Sequence, residues 1–485
     1  MKISELHTRT VKGESAPAGH TASQMLLRGG FLKRVSGKLA YTQTGTILRN
    51  EILRLAKEVL EETGYHEILW DHLEDLREAK GAIQAFAAET AISYKDLPLP
   101  LFFTQSLRMR EEGAETLWRA KHQSLLLVSS LGEAEKKPQD ILTAILDRLQ
   151  LPYRQRGQGF YLESADGKDR MGVTEPRKAT QKTGERIIYD RVKIDKVKTP
   201  GIRTIEELRE FFGCKKADLL KTVLLANQEE TIAVVVPGDR EVDLSKVERH
   251  LDLPEGRLSP ADEARVKALT QADVGFAGPV GLKADHILVD FQVDRDFGYI
   301  AGANETDHHL RHVYYGRDYS GDFGDLAMEE ESKAAWLLAE VRPHREKIRV
   351  PDAGGSLCYE ELITGYLNLD RILLALAETS LEEVGFDFPQ AWAPFQVAIA
   401  IVDLRDERAM AMGRELYTRL QDAGMRVLLD DRKDRMGSKF MDYDLMGIGM
   451  RIIIGKNPGE LLEVKNRNGA LFSVHSDDLV EFLQQ

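Results

Sequence analysis

The sequence predicts a multidomain chain of mixed α+β and α/β architecture. Three observations lead there. At 485 residues the chain exceeds what one hydrophobic core organises, so about two to four domains are expected. Its first part mixes amphipathic helices with short strands, as an α+β domain with an antiparallel sheet does. From residue 393 onward it runs strand, helix, strand, which is the order of a small α/β domain with right-handed crossovers.

The elements follow in order. Residues 46–63 read as an amphipathic helix, with Leu48, Ile52, Leu55, Ala56 and Val59 at helical spacing and Gly64 past the end. Glu67 to Trp70 reads as a strand, residues 138–149 as a helix, and Gly159 to Leu162 as a strand. A boundary falls near Lys198-Thr199-Pro200-Gly201, since Pro-Gly breaks regular structure. Thr204-Ile205-Glu206-Glu207 is a capping box that opens a helix to about Gly213. Thr222 to Ala226 and Thr231 to Val236 flank a polar turn and read as a hairpin. A second boundary follows Arg317-Asp318. Beyond Ala393-Pro394, Phe395 to Val402 is a buried strand and Glu407 to Gln421 a helix with Ala409, Met412, Leu416 and Leu420 inward. Gly424 ends that helix, and Met425 to Leu429 and Arg451 to Ile454 are further strands.

Composition narrows the function classes. Hydrophobic residues are 42% and charged residues 30%, as in an ordinary globular protein, and no apolar run reaches the ~18 residues of a membrane span. The first residues lack an apolar signal region, and the two cysteines, Cys214 and Cys358, supply neither a disulfide framework nor a cysteine-built zinc site. A cytoplasmic protein is expected. The net charge of −13 argues against a general nucleic-acid coat, DNA included, while leaving room for local basic patches on an acidic body.

Three separated fragments carry chemistry together: Leu220-Lys221-Thr222, the loop Gly275-Phe276-Ala277-Gly278-Pro279, and Gly302-Ala303-Asn304 with the pair His308-His309. A Gly-rich loop presents backbone N–H groups at close range. A lysine brings charge to a phosphate or carbonyl, and ester hydrolysis needs a positioned water and donors for the oxyanion. Taken singly, Lys221 reads as a strand-edge lysine, the loop as a turn, and Asp290 as a satisfied core carboxylate. His308, His309 and His312 lack an acidic or cysteine partner at metal-ligand spacing, so no metal is expected. Neither a Ser-His-Asp nor a Cys-His set is evident, so no covalent intermediate is implied.

Residues 196–318, with Pro237-Gly238-Asp239, Leu288-Val289-Asp290 and the closing Arg317-Asp318, resemble the editing insertion of bacterial prolyl-tRNA synthetases. The resemblance implies that Lys221 helps to hold the tRNA 3′ end and that Gly275, Gly278 and Pro279 line the amino-acid pocket. It implies too that Asp290 and His309 shape that pocket and limit the accepted side chain, with His308 as the alternative to His309.

At the C-terminus, Leu429-Asp430-Asp431-Arg432, Arg435, Gly437, Lys439-Phe440, Asp442, Asp444 to Ile448 and Ile454-Gly455-Lys456 resemble the anticodon-binding domain of class II synthetases, the prolyl branch most closely. Asp431, Arg432, Arg435, Lys439, Phe440 and Asp444 are then expected to meet the tRNA, as single-stranded loops are read by hydrogen bonds, stacking and nearby cations. The alternative for any one of them is a solvated charged loop.

The opening is similar to the same family. Leu26 to Phe31, Gly37, Tyr41 and Gly45 follow the first class II motif, but its proline is missing near Asp71. Ser93 to Leu101 match the approach to motif 2, and the stretch 72–92 has no Thr-x-Glu element to grip proline. Arg108 and Arg110 keep arginines, yet Glu112 and Glu115 follow where ATP needs cations, and Arg119 to Gln123 replace the Arg-Glu-Phe element. Residues 321–355 show no Gly-Thr-Lys-Tyr-Ser signature. Motif 3 keeps Arg371, with Tyr366, Asn368 and Asp370 in the preceding glycine pattern, where an aspartate competes for the arginine and repels phosphates.

Arg108, Arg110 and Arg371 thus stand as a vestigial ATP site. The layout is a class II synthetase-like antiparallel-sheet domain in two parts, 1–195 and 319–392, an inserted α/β editing domain, 196–318, and a C-terminal α/β anticodon-binding domain, 393–485. The expected function is that of a prolyl-tRNA synthetase-like paralogue that binds tRNA(Pro) and hydrolyses misacylated tRNA(Pro), alanyl-tRNA(Pro) for example. Editing requires no cofactor; ATP and Mg2+ enter only if ligase activity is retained. The scaffold implies a homodimer and no membrane partner. Two alternatives are a divergent, active proline–tRNA ligase with editing, and a non-catalytic tRNA-binding or regulatory subunit.

Overall fold

The computed structural model describes residues 1–6, 10–11, 21–36, 38–108, 122–164, 169–172, 192–227, 229–251, 253, 256–328, 332–344, 347–456 and 458–484. The chain forms two compact units, one of residues 1–153 and 338–485, the other of residues 154–337.

In the first unit, α1 (Ala22–Arg28) and the longer α2 (Gln43–Glu62) come first. Thr42 caps α2 by accepting from Gly45 N, and Leu48, Ile52, Leu55, Ala56, Val59 and Leu60 form its buried stripe. Gly64 follows with φ +76°, the left-handed turn that favours glycine. The expected strand at 67–70 is shorter. His66–Glu67 pair and the Ile68 N–H donates to Phe102 O (2.9 Å); beyond it Trp70 packs on Phe86 and Phe103 at 6.0 and 6.1 Å, and Leu69 is 86% exposed.

Next come α3 (Leu76–Thr90), then β1 (Leu99–Arg108) and β2 (His122–Leu131), antiparallel from Leu99 opposite Leu131 to Arg108 opposite His122. One face of this sheet carries Phe103, Leu107, Leu125 and Leu127, and Ala79, Ile83 and Ala87 of α3 cover it. Helix α4 (Pro138–Arg148) buries Ile141, Leu142, Ile145 and Leu146.

The second unit contains the span 196–318 and more, because strand Arg154–Arg156 pairs with Gly159–Glu163, and Asp169–Gly172 pairs with the start of a later strand. It holds β3 (Asp195–Lys198), α5 (Ile205–Phe212), β4 (Leu220–Ala226), β5 (Thr231–Pro237), α6 (Leu244–His250), α7 (Glu263–Thr270), β6 (His286–Asp290), β7 (Tyr299–Gly302), β8 (His308–Val313) and β9 (Asp322–Gly324). The expected capping box is present: Thr204 and Glu207 bond each other's backbone, and Gly213 ends α5 in the left-handed region. β4 and β5 form the expected hairpin, β6 adds parallel to β5, and β9 parallel to β6. Five fully buried residues, Ile232 to Val236, make β5 the centre of this sheet. A smaller sheet has the order β7, β8, β3.

Strand β10 (Ser332–Pro343) leads back to the first unit, where its Ala339 to Pro343 pair with β11 (Leu362–Asn368), which in turn pairs with β2. Helix α8 (Leu369–Thr379) follows β11 directly. The last region is β12 (Val397–Ile401), α9 (Glu407–Asp422), β13 (Val427–Asp430), α10 (Met436–Leu445), β14 (Met450–Ile454), β15 (Leu461–Asn466) and β16 (Leu471–His475). β12 lies parallel between β13 and β14 and is buried throughout, so it reads as an unbroken apolar run. The first residues of the chain join this region: Lys2 bridges Leu429, and Ile3 and Leu6 enter a core with Phe395, Leu428 and Tyr443.

Candidate functional site

The site in the second unit is built where β3 meets β8. Their register sets His309 opposite Val197 and His308 opposite Lys198. Alternation along β8 turns His309 inward, 1% exposed, and leaves His308 partly exposed beside Glu305. Just past β3, Thr199 is fully buried; its N–H donates to Asp307 O at 2.7 Å, and its hydroxyl lies 2.7 Å from His309 Nδ1. Burial, with a smaller push from His308, lowers the His309 imidazolium from 6.5 to about 4. The ring is therefore neutral at physiological pH.

The loop 275–280 packs against the same ring. Phe276 is buried, with its centroid 5.5 Å from that of His309. Asn304 clamps the loop: its N–H donates to Phe276 O (3.0 Å), its Oδ1 accepts from Gly278 N (2.8 Å), and its Nδ2 donates to Gly278 O (3.0 Å) and Val280 O (2.9 Å). Gly278 has to be glycine, because a Cβ there would overlap the Gly302 carbonyl oxygen and lie 2.7 Å from its carbon. Gly278 and Pro279 are buried, while Gly275 is exposed with φ +105°. The Gly278 N–H is thus taken up by Asn304.

Lys221 stands on β4 opposite Val236, half-buried, and its ammonium pairs with the exposed carboxylate of Glu241. A parallel bridge joins Leu219 to Ile300 of β7, the strand that ends at Gly302. For Asp290 the pocket role implied by the resemblance is corrected in favour of the alternative, a satisfied core carboxylate. It is 1% exposed, and its oxygens accept from the backbone N–H of Gln292 (2.9 Å), Leu326 (2.8 Å) and Ala327 (2.9 Å). Burial raises its carboxyl and the N–H groups pull it back. Asp290 ties the end of β6 to the chain after β9 and has no oxygen directed to a pocket. Sequence reasoning missed Thr199, which lies 110 residues from His309 and meets it only through strand pairing.

The neutral histidine has a measurable consequence. Its folded value lies below the unfolded one, so its contribution to stability is full above pH 6.5 and is lost as pH falls toward 4. The loss expected over that window is about 3 kcal/mol. Acid unfolding monitored alongside the His309 ring proton by NMR should show this, and a ring titrating near 6.5 would contradict it.

In the C-terminal region, Arg432 is anchored rather than free. It donates to Asp430 through Nε (3.1 Å) and Nη2 (2.7 Å) and to Asp442 through Nη1 (2.7 Å). Asp431 accepts from the backbone and hydroxyl of Ser4. Arg435 is exposed at the start of α10. Lys439 is the second correction: it is 1% exposed, its ammonium donating to Ile401 O at 3.2 Å and lying 3.6 Å from Asp430, because α10 folds it beneath the ends of β12 and β13. Its ammonium does not face solvent. Phe440 is partly buried under Arg451 and Lys465, and Asp444 pairs with Arg451 and Arg467.

Of the three positions named for the vestigial ATP site, Arg371 is buried and Arg108 is not. Arg108 is exposed at the end of β1, its N–H on Glu74 O. Arg110, Gly37 and the segments 112–115 and 119–121 lie outside the described residues. Asp370 is 4% exposed, one oxygen taken by the Tyr41 hydroxyl and the other by Ser124 N at 2.7 Å. Asn368 caps α8 through Arg371 N and bonds the buried Gln123, and Arg371 itself is 8% exposed. Among the described residues no cluster of three His, Cys, Asp or Glu side chains could hold a metal, and no helix is long and apolar enough to cross a membrane.

Residues 199–319 match the family model of the aminoacyl-tRNA editing domain, and residues 396–485 that of the anticodon binding domain. The chain carries both domains. Over 99% of its length it is 27% identical to a proline–tRNA ligase of Thermoanaerobacter sp. (strain X514), covering 98% of that protein. A proline–tRNA ligase of Desulfovibrio desulfuricans is 28% identical over 96% of this chain and 95% of its own length. A crystal structure of prolyl-tRNA synthetase from Cryptosporidium parvum, complexed with halofuginone and AMPPNP, shares the fold with a TM-score of 0.50 at 12% identity, over 96% of this chain and 76% of that one. The expected fold class is therefore present: a class II synthetase-like antiparallel sheet with the editing and anticodon-binding domains.

Proposed function

We propose that this protein binds tRNA(Pro) through its anticodon-binding domain, hydrolyses misacylated tRNA(Pro) in its editing domain, and has lost proline activation. The observation that carries this reading is a contrast between two sites. Around His309 the loop and the Asn304 clamp are held in order, whereas Asp370 and Asn368 spend their polar atoms on Tyr41, Ser124, Gln123 and the cap of α8. Residues of the editing domain have simple tasks. Water attacks the ester carbonyl carbon, the bond from that carbon to the ribose oxygen breaks, and the ribose oxygen takes the proton, releasing the amino acid and free tRNA. Lys221 supplies charge to the tRNA 3′ end, and neutral His309 with Phe276 limits the side chain admitted. Joining the anticodon reader to the hydrolase raises the effective concentration of the correct tRNA. The protein would work in the cytoplasm, as a homodimer on the synthetase scaffold.

The test is hydrolysis of alanyl-tRNA(Pro) by purified protein without ATP, with Lys221→Ala beside it. Rapid deacylation that falls at least tenfold in the variant, about 1.4 kcal/mol of transition-state stabilisation, is the expected result; equal rates for both would sink the role of Lys221. A second reading, a divergent active ligase with editing, is favoured by the full-length similarity to proline–tRNA ligases. Proline-dependent ATP–pyrophosphate exchange separates the two, and its presence would remove the claim of lost activation.

A further inference from the structure

One cation lies over the ring that packs on His309 and has no part in the editing chemistry proposed for Lys221. Arg203 lies just before α5, its main chain fixed because its N–H and that of Thr204 both donate to Glu207 Oε2 (3.0 and 2.9 Å). Its backbone also abuts the loop. A Cβ on Gly275 would lie 2.9 Å from Arg203 Cβ and 3.1 Å from Arg203 O, and Gly275 takes φ +105°. The glycine at the head of the loop thus serves to admit Arg203.

The side chain is 54% exposed, with its guanidinium carbon 5.8 Å from the centroid of Phe276, the ring that packs on His309. Its acidic neighbour is Asp273 at 3.6 Å, beyond direct hydrogen-bond length, and Asp273 is shared with Lys267 at 3.4 Å. A guanidinium lodged over an aromatic face is oriented at modest cost and keeps its planar fork of donors for an oxyanion. In an aminoacyl-tRNA the nearest oxyanions to the scissile ester are the phosphates of the terminal nucleotides.

We infer that Arg203 binds a phosphate of the 3′-terminal nucleotides and so positions the ester against the His309 pocket. The inference rests on the editing reading. It makes Arg203 a binding residue, separate from Lys221, whose ammonium is paired with Glu241 on β4. Charge-assisted bonds from a guanidinium to phosphate are short and can be bidentate, so lysine at this position should replace it only in part.

Two substrates divide the outcomes: alanyl-tRNA(Pro) and 3′-O-alanyl-adenosine, which has the same ester and no phosphate. With full-length protein, Arg203→Ala should lower kcat/KM on alanyl-tRNA(Pro) at least tenfold, mainly through KM, and flatten its salt dependence. It should leave alanyl-adenosine unchanged, and Arg203→Lys should fall between. Equal losses on both substrates would mean that Arg203 only props up the loop, and no loss on the tRNA would mean a surface cation; either overturns the inference alone. A wild-type protein inactive on alanyl-tRNA(Pro) overturns the editing reading, and the inference with it.

Discussion

Replacing Gly278 with alanine is expected to abolish editing, with at least a hundredfold loss of alanyl-tRNA(Pro) deacylation, and to destabilise the editing domain by about 3 kcal/mol. The cause is a backbone collision rather than a lost contact. The added methyl would overlap the Gly302 carbonyl oxygen, and Gly302 faces the same constraint from the carbonyls of Phe276 and Ala277. Neither strand nor loop can yield alone, because Asn304 ties them with three side-chain bonds and one backbone bond. Separating them withdraws Phe276 from His309. Thermal unfolding measured with the deacylation rate checks this prediction, and an alanine variant with unchanged melting and rate would refute the clamp. Gly281, which has left-handed φ +69° but no atom near its Cβ position, is the control: its alanine variant should cost about 1 kcal/mol or less in stability and leave the rate intact.

What could be read from the sequence was what local chemistry sets. Helix α5 was legible because Thr204 and Glu207 bond each other's backbone within one turn and Gly213 supplies the left-handed exit. The hairpin of β4 and β5 was legible because a polar turn separates two apolar runs. Lys221, the glycine loop and His309 could be named as a set by resemblance, but their geometry could not. Thr199 and Phe276 take their places only when β3 pairs with β8 and Asn304 folds the loop back. Charge was the weakest guide. Lys439 read as a surface group, and Asp290 as a pocket group by resemblance but a satisfied core carboxylate by itself; both are buried and engaged, and hydrophobic pattern says nothing about which backbone groups satisfy them. The docking of Ile3, Ser4 and Leu6 on the anticodon-binding domain joins residues more than four hundred positions apart, beyond any periodicity.

Replacing Asp430 with alanine should be the most damaging change in the anticodon-binding domain, costing about 3–5 kcal/mol. Its carboxylate, fully buried at the end of β13, accepts from the Arg432 backbone, from Arg432 Nε and Nη2 and from the Tyr443 hydroxyl at 2.8 Å, with the Lys439 ammonium 3.6 Å away. Burial opposes the charge, but Arg432, Lys439 and Tyr443 outweigh it and hold the carboxyl below its ordinary value. That stabilisation is present above the unfolded carboxylate value near 4 and is lost as pH falls through the lower folded value, so the alanine variant should also lose part of the domain's acid sensitivity. Removing the acid leaves the fully buried Lys439 ammonium without its carboxylate and Arg432 with Asp442 in place of both acids, which is why the cost exceeds that of a surface pair. Lys439→Met tests the same network from the other side. It replaces a buried ammonium with an apolar chain of similar length and leaves Asp430 paired with Arg432, so melting should change by no more than about 1.5 kcal/mol. Because Lys439 does not face solvent, the affinity for tRNA(Pro) and its salt dependence should stay as in the wild type, while Arg435→Ala, at an exposed cation, should weaken binding and reduce the salt slope by about one. A large loss of tRNA affinity in a stable Lys439→Met protein would return that lysine to the RNA-contacting surface.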